Sequence, residues 1–250
     1  MAEYTIAETF TLPSKGLVYK ENNINPVVKL RSMTVEEEMK RLAYSELPYK
    51  MLAEIIDDCL VEKPGISVYD MCIGDYEFLL HKLREVTYGS DYKINSVCPQ
   101  CEEINKSTID LSKLNILEYS ADESEDKLSI TLPQSKKHIK LKLQTPRMLD
   151  EIKIKSEDLK KKFPDMKGEP AFLLSIIAMI ESVDNEVKDE MHLNSFVKKL
   201  GMRDVNYLIQ KLEKVQIGVD TNIECTCQHC GKKYNFPFPV SSEFFRPTIE

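Results

Sequence analysis

The chain has no tryptophan, only 8 glycines and 4 histidines in 250 residues, and no surplus of positive charge. Each shortage removes a class of function. No glycine-rich loop is present to cradle a nucleotide phosphate, and neither GxSxG nor HExxH occurs, which excludes the serine-hydrolase elbow and the helix-borne zinc protease site. Lys and Arg total 34 against 41 Asp and Glu, a net charge of −7. General binders of nucleic acid or of anionic membranes carry the opposite sign, because phosphate affinity comes from clustered cations. The longest apolar stretch, residues 171–180, is interrupted by Ser175 and is too short to span a bilayer. The first ten residues, MAEYTIAETF, lack the basic start and apolar segment of a secretory signal. The expectation is a soluble, intracellular globular protein.

Seven cysteines are present, at 59, 72, 98, 101, 225, 227 and 230. An odd number, with five in two tight groups, does not fit a secreted disulfide framework. Cys59 and Cys72 lie in apolar, helix-patterned surroundings and read as small core residues. The other five need a different explanation.

Turn residues Pro13-Ser14-Lys15-Gly16 and Asn22-Asn23 separate short β-like runs such as Val27–Arg31. Thr34 then offers an N-cap, with Glu37 placed to complete a capping box. The acidic cluster 36–38 therefore marks a helix start rather than a metal site. A second helix is expected over 49–60 and a third from Gly74. In the third, Tyr76, Leu79, Leu80, Leu83 and Val86 follow three-four spacing, and His81 falls one position off the stripe, as a boundary histidine would. After Gly89 the pattern becomes β. The acidic stretch 118–127 reads as a solvated loop. Residues 128–132 and 138–143 alternate as a hairpin around the loop 133–137, and helices are expected over 147–162, 169–182, 190–200 and 202–214. Lys160-Lys161-Lys162 ends the first of these, where cations complement the helix dipole.

Cys98-Pro99-Gln100-Cys101 and Cys227-Gln228-His229-Cys230 are two CxxC knuckles, each flanked by strand-like sequence. A two-residue spacer lets two thiolates converge on one cation, and two such knuckles make a closed tetrahedral set, the usual structural zinc site. The four expected ligands are Cys98, Cys101, Cys227 and Cys230, with one zinc per chain. The separation is unusual, since 125 residues lie between Cys101 and Cys227. Loop-closure entropy grows only slowly with length, so a folded insertion is tolerable. Cys225 is the surplus thiol, and His229 lacks reach from inside its knuckle. A thioredoxin-like redox CxxC would need a βαβ setting with a helix after the first cysteine, and neither follows. A closed four-thiolate set leaves no open position for catalysis, so no catalytic residue is assigned.

Several segments together resemble the baseplate protein family of T-even-type bacteriophages, assembly proteins of contractile-tailed viruses. They are residues 11–19 (TLPSKGLVY), 30–34 (LRSMT) with Glu37 and Glu38, 74–80 (GDYEFLL) with Leu83, Arg84 and 86–89 (VTYG), the two knuckles, and 243–247 (EFFRP). The resemblance implies a non-enzymatic protein that assembles the tail baseplate, at its hub, through contacts with other baseplate or tail proteins. It would act in the host cytoplasm, with retention in the virion left open. Two other classes stay in view. A zinc-ribbon nucleic-acid adaptor would need a basic face, and Lys93, Lys106, Lys232 and Lys233 are few and interspersed with Glu102 and Glu103. A metalloenzyme would need Cys225 or His229 at an open site.

The expected fold class is α+β, mostly helical, with short β-hairpins and a discontinuous four-cysteine zinc ribbon. Residues 1–91 would form an N-terminal strand and helix region, 92–111 with 218–250 the ribbon and an aromatic tail, and 112–217 an inserted hairpin and helical subdomain. In the tail, Phe236 and Phe238 have even claims to be core. Phe244, Phe245 and Arg246 are expected to anchor a partner, because Pro237, Pro239 and Pro247 deny the segment a regular helix.

Overall fold

The computed structural model describes residues 5–19, 24–120, 127–237 and 242–245. It opens with strands β1 (Ala7–Thr11) and β2 (Val27–Arg31), followed by helices α1 (Val35–Leu42) and α2 (Pro48–Cys59) and strand β3 (Leu60–Glu62). The three strands form one antiparallel sheet in the order β1-β2-β3. Thr34 caps α1 and closes the expected box with Glu37. A short 3-10 turn (Val68–Asp70) leads to the long helix α3 (Ile73–Tyr88), which ends on Gly89 at φ 87°.

Helix α3 is the axis of the first core. Tyr76, Leu79, Leu80 and Leu83 are buried with Ala53, Ile55 and Ile56 of α2 and with Val28 and Leu30 of β2. His81 also lies inside this core, instead of at its edge. Its Nδ1–H donates to the Glu77 carbonyl at 2.8 Å, and burial pulls its pKa down to about 4, so the ring is neutral near pH 7. Asp75, in the first turn of α3, is fully buried and ties down the Pro13–Gly16 turn: it accepts from the Ser14 amide (2.9 Å), the Ser14 hydroxyl (2.5 Å) and Tyr19 (2.7 Å).

The chain continues as a hairpin, β4 (Asp91–Val97) and β5 (Ile104–Asp110), and then β6 (Ile116–Leu117). A second core follows. Its parts are β7 (Ser129–Thr131), β8 (His138–Leu141), α4 (Pro146–Lys162), α5 (Pro170–Ala178), β9 (Ile180–Val183), α6 (Glu190–Val197) and α7 (Met202–Glu213). Ile130, Leu132, Ile139, Leu141, Ile177, Ile180, Leu193, Val205 and Leu208 are buried together here, separate from the α3 core. Asp204 in the first turn of α7 is buried and accepts from the Gln134 and Ser135 amides, fixing the β7–β8 loop.

The return path is short and crowded. Strand β10 (Gly218–Val219) pairs antiparallel with β6, so residues 116–117 and 218–219 are zipped together at the two ends of the second core. Gly218 has φ +113° and lies against Gly74, where a Cβ on Gly74 would sit 2.2 Å from the Ile217 carbonyl oxygen. Only two facing glycines let these backbones approach so closely. A final hairpin, β11 (Asn222–Thr226) and β12 (Lys233–Pro237), and a 3-10 turn (Ser242–Phe245) complete the described chain.

The two cores also meet through α4. Asp150, almost fully buried, accepts from the Lys50 amide at 2.9 Å and from the Tyr69 hydroxyl at 3.1 Å. It thereby caps α2, whose own N-cap, Leu47, has no side chain able to do so. Arg147 pairs with Asp70 and lies 4.5 Å from the Tyr69 ring centroid.

Two further expectations change. "Mostly helical" overstates the fold, because among the described residues seven short-to-medium helices are interleaved with five small antiparallel sheets. The apolar run expected as one helix over 169–182 breaks at Ala178, and β9 pairs with β8. A short run of Ile and Val is compatible with either state, and the neighbouring strand decides it.

Candidate metal centre

The two hairpins β4–β5 and β11–β12 present their knuckles to each other. In each, a strand ends at the first cysteine and the chain reverses with the same backbone bonds. The Cys98 amide donates to the Glu103 carbonyl (3.0 Å) and the Glu102 amide to the Cys98 carbonyl (2.9 Å). On the other side, the Cys227 amide donates to Lys232 (2.9 Å) and the Gly231 amide to Cys227 (2.9 Å). The residue after each second cysteine is left-handed, Glu102 at φ 60° and Gly231 at φ 72°. The knuckles are one motif used twice, and Glu102 accepts a conformation that glycine adopts more easily.

The four sulfurs of Cys98, Cys101, Cys227 and Cys230 all lie within 4.8 Å of one another. Across the knuckles Cys98 Sγ is 3.8 Å from Cys230 Sγ, and Cys101 Sγ is 3.6 Å from Cys227 Sγ. These are far beyond a disulfide bond of about 2.05 Å. A tetrahedral ion with metal–sulfur bonds of about 2.3 Å would require sulfur–sulfur edges of about 3.8 Å. The cross-knuckle distances match that requirement, so the residues fit a metal ion.

The surrounding polar groups favour thiolate. The His229 and Cys230 amides both point at Cys227 Sγ, at 3.4 Å. The Cys230 amide in particular holds the Cys227 thiol down to about 6. Cys101 is pushed the other way, up to about 12: the Glu103 amide favours its thiolate, but desolvation and three neighbouring sulfurs outweigh it. Four sulfurs this close cannot all ionise without a cation among them.

Other contacts clamp the hairpins around the cluster. Asn105 is buried and spans the gap, accepting from the Gln228 amide at 2.8 Å while donating to Glu103. The Gln228 side chain donates to the Lys106 carbonyl, Lys232 to Gln100, and the Ser96 and Tyr234 hydroxyls meet at 2.7 Å. Asn105 was missed in the sequence, since a lone Asn in an alternating strand looks like any solvent-facing polar residue.

Cys225 lies outside the four-sulfur group; burial pushes its thiol up, with a smaller opposing effect from Ser96. His229 is exposed and contributes its backbone amide. Cys59 and Cys72 are buried, as expected of core thiols. Of the lysines near the knuckles, Lys233 pairs with Glu224 and Lys232 donates to the Gln100 side chain.

The tail aromatics are not displayed. Phe244 and Phe245 are buried in the α3 core, the Phe244 ring tilted against His81 (4.9 Å) and Tyr92 (5.3 Å) and Phe245 under Arg41. The 3-10 turn Ser242–Phe245 suffices to seat both rings in the chain's own core, where the expectation had them exposed. Arg246 lies outside the described residues. Phe236 also packs against this core, and Phe238 lies outside the described residues. No helix among the described residues is long and apolar enough to cross a membrane.

Among known proteins, the family model described as T4 bacteriophage base plate protein matches residues 3–246. No curated protein and no solved structure matches.

Proposed function

The chain belongs to the T4 bacteriophage base plate protein family, and from that premise we propose that it is a non-enzymatic assembly protein of the baseplate hub, held in shape by one structural zinc. The observation that carries the zinc reading is the four-sulfur cluster with cross-knuckle edges of 3.6 and 3.8 Å. In this reading Cys98, Cys101, Cys227 and Cys230 hold the ion, and the ion supplies a crosslink between the middle and the end of the chain. Four thiolates close the coordination sphere, so the site serves folding and not turnover. Residues 112–217 are a subdomain inserted into the ribbon, a reading supported by the separate second core and by the β6–β10 zipper at its base.

The protein works by contact with other baseplate and tail proteins, in the host cytoplasm while particles assemble. A net charge of −7 argues against a nucleic-acid partner, and one of the knuckle lysines, Lys233, is paired with Glu224. The test is assembly in infected cells carrying Cys98→Ser or Cys230→Ser. The proposal expects particles to stall before the hub is complete while other tail parts accumulate. Normal particle yield from metal-free protein would sink the structural role of the ion, and a stall at a stage unrelated to the baseplate centre would sink the hub assignment.

A further inference from the structure

Helix α1 is turned inside out. Its inward side is polar: Glu37 is buried against Arg31, and Arg41 pairs with Glu38 at 2.6 Å. Its outward side is apolar. Val35, Met39 and Leu42 are 77%, 67% and 70% exposed, and Tyr44 just beyond is 91% exposed. At about 100° per residue the three helical positions fall within a ~60° arc. The helix cannot roll to bury them without breaking the Arg31–Glu37 pair and the Thr34 capping box. An open groove of about 830 Å³ adjoins the stripe, bordered by Lys40, Ala43, Tyr44, Leu47, Met51 and Asp58.

We propose that this stripe is the contact of a symmetric homodimer, in which α1 helices of two copies pack antiparallel about a two-fold axis beside Met39. Three observations select a second copy. The stripe is nearly symmetric about Met39, with Val35 four residues before it and Leu42 three after, so an antiparallel partner sets Val35 against Leu42 and lays Tyr44 over the far end. One flank of the helix carries an acid in its first half and a base in its second: Glu36, and then Lys40, which pairs with Asp58 and stays half-exposed. Antiparallel pairing about a two-fold axis therefore sets Glu36 of each copy against Lys40 of the other. An isologous surface must be complementary to itself in this way. Finally, the four apolar side chains expose on the order of 500 Å² per chain, so two copies bury about 1,000 Å², the small end of specific interfaces. That size fits a dimer with a micromolar dissociation constant, formed and released during assembly.

Sedimentation equilibrium of the full-length, metal-loaded chain from about 1 to 100 µM tests this. The expected result is a monomer–dimer equilibrium that Met39→Glu weakens at least about tenfold, since two carboxylates would face each other across the axis. Circular dichroism should not change, because residue 39 is mostly exposed. A second variant reads geometry directly: Met39→Cys should form a 39–39 disulfide between chains under mild oxidation, mapped by mass spectrometry, while Val187→Cys, at another exposed position, should not. A chain that stays monomeric at 100 µM overturns the proposal, as does a dimer indifferent to Met39→Glu or a cross-link no faster at 39 than at 187. If a different protein occupies the stripe and the chain alone is monomeric, the proposal is equally wrong.

Discussion

Glu37 should be the residue through which acid loosens the first core. Its carboxylate accepts from Arg31 Nη2 at 2.7 Å and from the Thr34 amide and hydroxyl at 2.7 and 2.6 Å, and it is almost fully buried. The Arg31 guanidinium, followed by Thr34, holds its pKa at about 2 against an ordinary 4.5. At about 1.4 kcal/mol per unit this corresponds to roughly 3 kcal/mol, and residual solvent at the rim of the pair reduces it to about 2 kcal/mol. The sign follows from the lowered folded-state value. The contribution is fully present above the unfolded pKa near 4.5 and is lost as pH falls toward 2. Glu37→Gln should cost about 2 kcal/mol at pH 7 in urea unfolding, and the gap from the native chain should have shrunk by roughly half at pH 3. A gap that stays constant from pH 7 to pH 3 would refute the ionic account and leave only lost packing.

Three further perturbations separate the parts of the fold. Phe244→Ala should lower stability by about 3–5 kcal/mol, because it empties a ring site inside the α3 core; a neutral melting curve would mean that the ring is not core after all. Asp150→Ala should cost about 2–4 kcal/mol by leaving the Lys50 amide and the Tyr69 hydroxyl without their acceptor, and amide exchange should rise first in the opening turn of α2. If exchange there is unchanged, the cap across the two cores is not what holds that turn. Gly74→Ala should cost about 4 kcal/mol or more, since its methyl would run into the Ile217 backbone carbonyl; soluble expression with native stability would show that the β10 return path is looser than described.

Much of this architecture is written in local pattern. The Thr34 capping box, the α3 stripe, the 128–143 hairpin and the two knuckle contexts are each decided by residues a few positions apart, so they could be read without the third dimension. The four sulfurs were legible because a metal site requires particular atoms at a particular spacing. Elsewhere the deciding partner is distant in sequence. Residues 180–183 become a strand because β8 offers an edge, and Asp150 caps a helix a hundred residues away. The pairing of Gly74 with Gly218 looks like two ordinary glycines until their backbones meet. The tail aromatics were misplaced for a related reason: proline spacing excludes a long helix, but it says nothing about whether a short turn can return two rings to the core. In α1 the capping box marks the helix start, and only burial shows that its polar side faces inward.

The central claim is that one zinc clasps the two hairpins. Elemental analysis of the full chain purified without chelator, combined with thiol counting on the folded protein, tests it most directly. The account predicts one zinc per chain and slow reaction at Cys98, Cys101, Cys227 and Cys230. Removing the metal should lower the melting temperature sharply and make these four the first thiols to react, because binding free energy at such a site is folding free energy. Protein that carries no metal, unfolds cooperatively at the same temperature with and without chelator, and offers these four thiols freely in the native state would contradict it.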